Sequence, residues 1–352
     1  MRIALWTPAL APVLAACSLA YLTDHAGDVQ DTGVEGGLDA APTDGGRAAD
    51  APGAFDASGA NDSTADAPGP VVVDDVDAGW SIRVDASAGF GDLSSVWGSG
   101  ANDVWAVGFN TIVHWDGSAW SLSPAEVGPL NSVWGSGPDD VWTVGQGGAI
   151  FHFDGTVWLP SDAGTRATLN GVWGSAPDDV WAVGESDGGG PVFHWNGAAW
   201  ALSATLDAGL QSVWGTAGLV WTVGDSNFIA ERSAGAWSAQ DNQVSVPDDL
   251  TGVWGSSATS IWAVSQDGPI VYYAGDQDVW VAQTMGFGLL VIWGTSSGDV
   301  WGAGFGGTIA HYDGHAWSAV PSGTRVGLTG VWGTGPNDVW VVGAKGTILH
   351  HP

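Results

Sequence analysis

The chain is poor in cysteine, methionine and cations: one Cys, two Met and seven Lys plus Arg in 352 residues. A single cysteine excludes an intramolecular disulfide and a thiolate metal cage. Seven cations against 38 Asp and Glu leave a formal net charge of -31. Nucleic-acid binding draws its affinity from Lys and Arg clusters that release counterions, and no such cluster is present. Adsorption to an anionic lipid surface is excluded on the same ground. Neither a cofactor nor a bound metal is expected. What the chain has in excess is tryptophan, 24, and glycine, 56.

The one cysteine is informatively placed. Met1 and Arg2 precede a mostly apolar run over residues 3–16, which ends in LAAC at residues 14–17. A basic start, a short apolar segment and small residues before the cut describe a secretory signal, too short for a permanent membrane anchor. LAAC resembles the bacterial lipobox. The resemblance implies cleavage after residue 16 and acylation of Cys17, and Ser18 after it is similar to lipoproteins directed to the outer membrane. The alternative is an ordinary signal cut near Ala16 or Ala20. The expected location is secretion across the inner membrane and lipid anchoring in the cell envelope, with membrane contact only through Cys17.

Residues 17–78 are Ala, Asp, Gly, Pro, Ser and Thr with hardly an aromatic, and residues 18–79 hold thirteen Asp or Glu against Arg47 alone. Such a segment buries too little apolar surface to offset its ordering entropy, and its like charges repel. A disordered, extended tether is expected. A calcium loop would need a fixed short frame with a glycine turn and a terminal Glu, and no such frame recurs.

From residue 79 to residue 352 the chain repeats itself. SVWGSGPDDVW, residues 132–142, recurs in seven variants whose first tryptophans are Trp97, Trp134, Trp173, Trp214, Trp254, Trp293 and Trp332. A period near 40 means a solenoid or a propeller. Each copy holds short runs rich in Val, Ile, Trp and Phe, bounded by Gly, Pro or Asp turns, and an Asp-Gly pair is read as a two-residue primed hairpin turn. Four short strands per copy make one blade, so the expected fold is all-β, a seven-bladed β-propeller with four antiparallel strands per blade. Copy seven stops at GTILHHP, residues 346–352, before its fourth strand. DAGWSIRV, residues 77–84, matches that missing strand, so the segment around Trp80 is expected to close the last blade and leave no free edge. Three tryptophans per blade are expected to pack blade against blade.

GTIAHYDGHAW, residues 307–317, resembles the BNR or Asp-box repeats of secreted propellers, and VWVVGAKGTILH, residues 339–350, looks like the repeat of photosystem II assembly-factor propellers and, more loosely, of tectonin lectins. The resemblance covers residues 80–352 and implies the propeller fold. Its functions range over sialidases, lectins and scaffolds. The Ser before the Asp and the second Gly of a full Asp-box are missing, and Asn196 replaces the Asp in copy three.

A sialidase needs three arginines gathered on a substrate carboxylate with a tyrosine nucleophile nearby. The repeat region offers Arg83, Arg166, Arg232, Arg325 and Lys345, with Arg166 and Arg325 in similar GTR loops four blades apart, and Tyr272 and Tyr273 on a third strand. No enzyme is expected. His114, His152, His194, His311 and His350 occupy one repeat position, replaced by Glu231 and Tyr272 in copies four and five. Sheets pack about 10 Å apart, whereas ligands to one zinc crowd within about 4 Å of each other, so once-per-blade histidines are expected to pack rather than ligate. The repeated acids Asp103, Asp140, Asp179, Asp299 and Asp338, absent from copies four and five, are expected to bond their own turn backbone.

Binding is expected where the copies differ, because scaffold positions repeat while a recognition face need not. The turns between second and third strands vary most: Phe109 and Asn110, Gln146, Glu185 and Asp187, Asp225 and Asn227, Gln266 and Asp267, Phe305, and Lys345. They are expected on one face near the central channel. The expected function is a non-enzymatic lipoprotein whose propeller binds a protein or peptide. A glycan-binding lectin is the alternative, and a sialidase-like hydrolase a remote one.

Overall fold

The computed structural model describes residues 79–84, 88–240, 244, 249–275 and 279–352. The expected signal peptide, Cys17 and tether lie outside the described residues. The rest is the expected ring: seven four-stranded antiparallel sheets. Blade 2 serves as the pattern, with strands Leu130–Gly137, Asp140–Gly145, Ile150–Phe153 and Trp158–Ser161 from the axis outward. The first strands of successive blades, from Leu93–Gly100 in blade 1 to Leu328–Gly335 in blade 7, touch around the full circle.

The burial pattern follows from position in the blade. A second strand has a neighbouring blade on each face, so Val141 to Gly145 are all buried and the sequence runs apolar without alternation. The fourth strand is an outer edge and stays largely exposed. Within a blade, Trp134 lies opposite Trp142, and Trp142 opposite His152.

Two contacts repeated at every junction hold the ring. The first explains the dipeptide WG. The ring of Trp97 occupies the space beside Gly135 of the next blade, where an added Cβ would come within 2.6 Å of it. The same arrangement sets Trp134 on Gly174 and continues to Trp332 on Gly98, which closes the circle. In the second contact, each second-strand tryptophan meets the fourth-strand tryptophan of the next blade edge to face, at centroid distances of 5.4–6.0 Å and angles of 75–84°. That geometry places the positive ring edge on the negative ring face. At one junction a third-strand cation joins in: the guanidinium carbon of Arg232 stands 4.8 Å above the Trp181 ring.

The last blade closes as expected. Ser81–Val84 pairs antiparallel with Ile348–His351, and Trp80 is completely buried against Trp301 and His351. The hairpin turns differ from expectation. Trp115 pairs with Trp120 and Phe153 with Trp158, so the Asp-Gly loops hold four residues rather than two. The reason is the aspartate side chain. Asp116 Oδ1 accepts from the backbone N–H of Ser118 and Ala119 and from the Ser118 hydroxyl, and these bonds hold the Asp116 pKa down at about 2. Asp154, Asp313 and Asn196 accept from their own turns in the same way.

An antiparallel meander puts alternate connections at opposite ends of a blade. One face of the ring therefore carries the turns joining strands one to two and three to four. The other carries the two-to-three turns and the links between blades.

Candidate functional site

The repeated polar residues are consumed inside the blades. Ser136 donates to Asp140 Oδ2 at 2.5 Å, and His152 Nε2 lies 2.6 Å from Asp140 Oδ1. A carboxylate only accepts, so Nε2 carries the proton. The imidazole stacks on Trp142 at 4.1 Å, and the Trp142 indole N–H donates to Asp140. The same Ser or Thr, Asp and His bonds, with the imidazole stacked on the second-strand Trp, occur in blades 1, 3, 6 and 7, while the indole N–H reaches the Asp only in blades 2 and 3. This confirms packing histidines and corrects the expectation for the acids, which bond side chains across two turns instead of their own turn backbone. The signal was in the sequence: His and Asp vanish together in copies four and five. There Tyr272 donates to Ser260 in blade 5, and Leu219 and Glu231 take the two positions in blade 4.

The units of blades 2 and 3 are expected to make the ring sensitive to acid. Burial works to raise the Asp140 and Asp179 pKa values, but bonds from His152 and Ser136, and from Ser175 and His194, outweigh it and leave both lowered. Their stabilisation is complete above about pH 4 and is lost as pH falls through the folded values. Burial lowers the pKa of His350 despite its bond to Asp338, so the fold favours neutral imidazole there. That contribution is full above about pH 6.5 and drains as pH falls through the folded value. The melting temperature is expected to hold steady above pH 7 and decline in two stages on acidification. Scanning calorimetry checks this, with His350→Asn expected to shrink the upper stage, to which His351, its pKa also lowered by burial, contributes the rest.

The central channel encloses about 320 Å³ and is lined by first-strand residues of all seven blades, among them Ser95, Asn131, Asn170, Gln211 and Thr251. These side chains stitch one blade to the next. Asn131 donates to the Leu169 carbonyl, Asn170 to Leu210, Thr251 to Leu290 and Thr329 to Leu93, at 2.7–3.0 Å. The two-to-three turns border it without lining it. They stand one strand further out, and Gln211 reaches across to Asp225 Oδ1 at 2.9 Å.

The turns do share one face. Phe109 and Phe305 are 52% and 41% exposed, unusual for phenyl rings. Asp187, Asp267 and Lys345 are exposed, while Glu185, Asp225, Gln146 and Gln266 are half-buried. Asn227 donates to the Val244 carbonyl, and Gln266 to Asp267. Four turns share a backbone form in which two successive residues are left-handed, Gly147 and Gly148, Ser226 and Asn227, Gly306 and Gly307, and Lys345 and Gly346, with φ of 57–80°. Asn110 takes the same region in a two-residue turn. The Lys345 N–H donates to Asp92 and the Ser226 N–H to Asp249, tying each turn to the following blade. Burial, with the charge of Asp225 added, raises the Glu185 pKa. Arg166 and Arg325 are exposed on links between blades of this face, whereas Arg83 sits in the closing strand and donates to His350 Nδ1. The three arginines of a sialidase are not gathered.

A scan against protein-family models finds no match, and a sequence comparison with curated proteins finds none. Solved structures do match in shape. The ring is similar to YCF48 propellers. YCF48 bound to D1 peptide shares 17% identity and a TM-score of 0.61, over 74% of this chain and 93% of that one. YCF48 from Cyanidioschyzon merolae shares 18% identity at 0.61, over 77% and 98%. The WD40 propeller domain of Doa1 shares 16% at 0.62, over 74% and 92%. At such identities the likeness to YCF48 and Doa1 is one of fold, and it bears out the seven-bladed all-β architecture.

Proposed function

We propose that this chain is a non-enzymatic lipoprotein of the cell envelope, anchored through Cys17, whose propeller holds a protein or peptide on the face of the two-to-three turns. One observation carries the reading. The residues repeated in every blade are engaged in internal contacts, while the turns that differ from blade to blade all reach one surface and expose Phe109 and Phe305 there. A YCF48 propeller of the same shape has been seen with a peptide bound, which supports a peptide ligand here. Strand polarity adds to this. Ser81–Val84 runs antiparallel to Ile348–His351, which itself starts from a two-to-three turn, so the chain enters the ring at Gly79 on the opposite face.

The test is a pull-down from native cell envelopes with the wild-type chain and with Phe109→Ser/Phe305→Ser. Both substitutions are at exposed sites, so their melting temperature is expected to match wild type. A protein retained by wild type and released by the double variant supports the reading. Retention of polysaccharide in its place would make the ring a lectin, and equal retention by both proteins would place the ligand elsewhere.

A further inference from the structure

The first residue of each two-to-three turn occupies an equivalent place in every blade, and read around the ring these residues fall into sectors. Blades 6, 7 and 1 carry Phe305, Ala344 and Phe109. Blades 3 and 4 carry Glu185 and Asp225. Gln146 in blade 2 and Gln266 in blade 5 stand at the two boundaries. An apolar sector thus faces an acidic sector across the channel mouth, with a neutral amide on each side. Charge sharpens the division. Arg325 and Lys345 stand in the apolar sector, exposed and without an ion pair among the described residues, where neither Glu185 nor Asp225 is paired with Lys or Arg either. Lys345 also occupies a left-handed backbone position, φ 59°, where blades 2 and 6 place glycine. An L-residue is disfavoured there, so its side chain is what the position keeps.

Resting on the reading of this face as a peptide-binding surface, we propose that its ligand is an extended peptide segment, apolar at one end and basic at the other, lying across the channel mouth. The apolar end seats between Phe305 and Phe109, and the basic end lies over Glu185 and Asp225. Charge complementarity selects this occupant. The chain as a whole, at -31, attracts a basic segment and repels an acidic one or a second copy of itself. Lys345 and Arg325 repel the basic end from the apolar sector, which fixes the direction of the peptide. Like-charge placement of this kind gives specificity through the wrong orientation being costly.

The test uses the full chain and synthetic fluorescent peptides in which an apolar block of Phe and Leu is joined to a block of Lys and Arg, to a block of Asp and Glu, or to Ser and Gly. Anisotropy titration is expected to show the apolar–basic peptide binding at least about tenfold more tightly than the other two. Glu185→Gln/Asp225→Asn is expected to remove that preference while leaving the binding of the apolar–Ser/Gly peptide unchanged. Phe109→Ser/Phe305→Ser is expected to weaken all three. Lys345→Ala keeps the fold and is expected to strengthen the basic peptide by relieving repulsion. Binding of the acidic peptide as tight as the basic one, or no effect of the carboxylate substitutions, overturns the proposed polarity and leaves the peptide-binding face intact. No binding by any of the peptides, with an envelope protein still retained through Phe109 and Phe305, overturns the extended-peptide ligand alone. No binding in either experiment overturns both readings.

Discussion

Trp80→Ala is expected to lower the unfolding free energy by about 4 kcal/mol, the middle of the range for deleting a buried aromatic. Trp80 is fully buried, 5.6 Å from Trp301 and 5.3 Å from His351, and it belongs to the strand that joins the two ends of the ring. Its loss removes ~200 Å² of buried surface and loosens the pairing of Ser81–Val84 with Ile348–His351. Once that strand detaches, blade 7 presents the third strand as a free edge, the kind of surface on which chains pair with one another. Denaturant titration measures the stability, and light scattering during the melt reports the exposed edge. Trp120→Ala, in the fourth strand of blade 1, removes an equivalent tryptophan against Trp340 from a strand that its own hairpin turn holds in place, and leaves the closing strand intact. It is expected to cost a similar free energy with less aggregation.

Gly184→Ala is expected to destabilise the ring by about 3 kcal/mol, although it adds one methyl group. A Cβ at Gly184 would lie 1.9 Å from the Thr168 carbonyl oxygen and 2.8 Å from the Leu169 Cα, both backbone atoms of the adjoining first strand. Side-chain rotation cannot relieve that contact, so the two strands must separate. The glycine is needed here for close approach and not for its conformational range. Five other copies repeat it at Gly108, Gly145, Gly224, Gly304 and Gly343. Copy five has Ser265 instead. Gly100→Ala is the control. No atom lies within 4 Å of its added Cβ, and its stability change is expected to stay within about 0.5 kcal/mol.

The architecture was readable because a ring multiplies its signals. A seven-fold tryptophan pattern, a missing last strand and a matching orphan segment around Trp80 each constrain the same count, and the structure agrees with all three. The contacts between repeats were harder to read. That Trp97 rests on Gly135 depends on the stagger of neighbouring blades, which no single copy displays. The bond from His152 to Asp140 joins residues twelve apart across the two-to-three turn, and its trace was the shared absence of both residues from copies four and five. The Asp-Gly loops came out two residues longer than expected because the Asp116 carboxylate, not backbone pairing, organises the turn. The candidate site follows the same division. Which turns vary was legible, and so was the series Phe, Gln, Glu, Asp, Gln, Phe, Ala at their first position. That these turns stand outside the channel wall needed the strand order and the lining residues to be seen together.

Hydrogen exchange of the free and ligand-bound chain tests the central claim most directly, because it reports which face a partner covers without altering a residue. With the protein captured from envelopes bound, the amides of the two-to-three turns, including Asn110, Ser226 and Lys345, are expected to slow, while those of the opposite-face loops at residues 116–119 and 313–316 exchange as before. Protection of the opposite-face loops with the two-to-three turns unchanged would contradict the account.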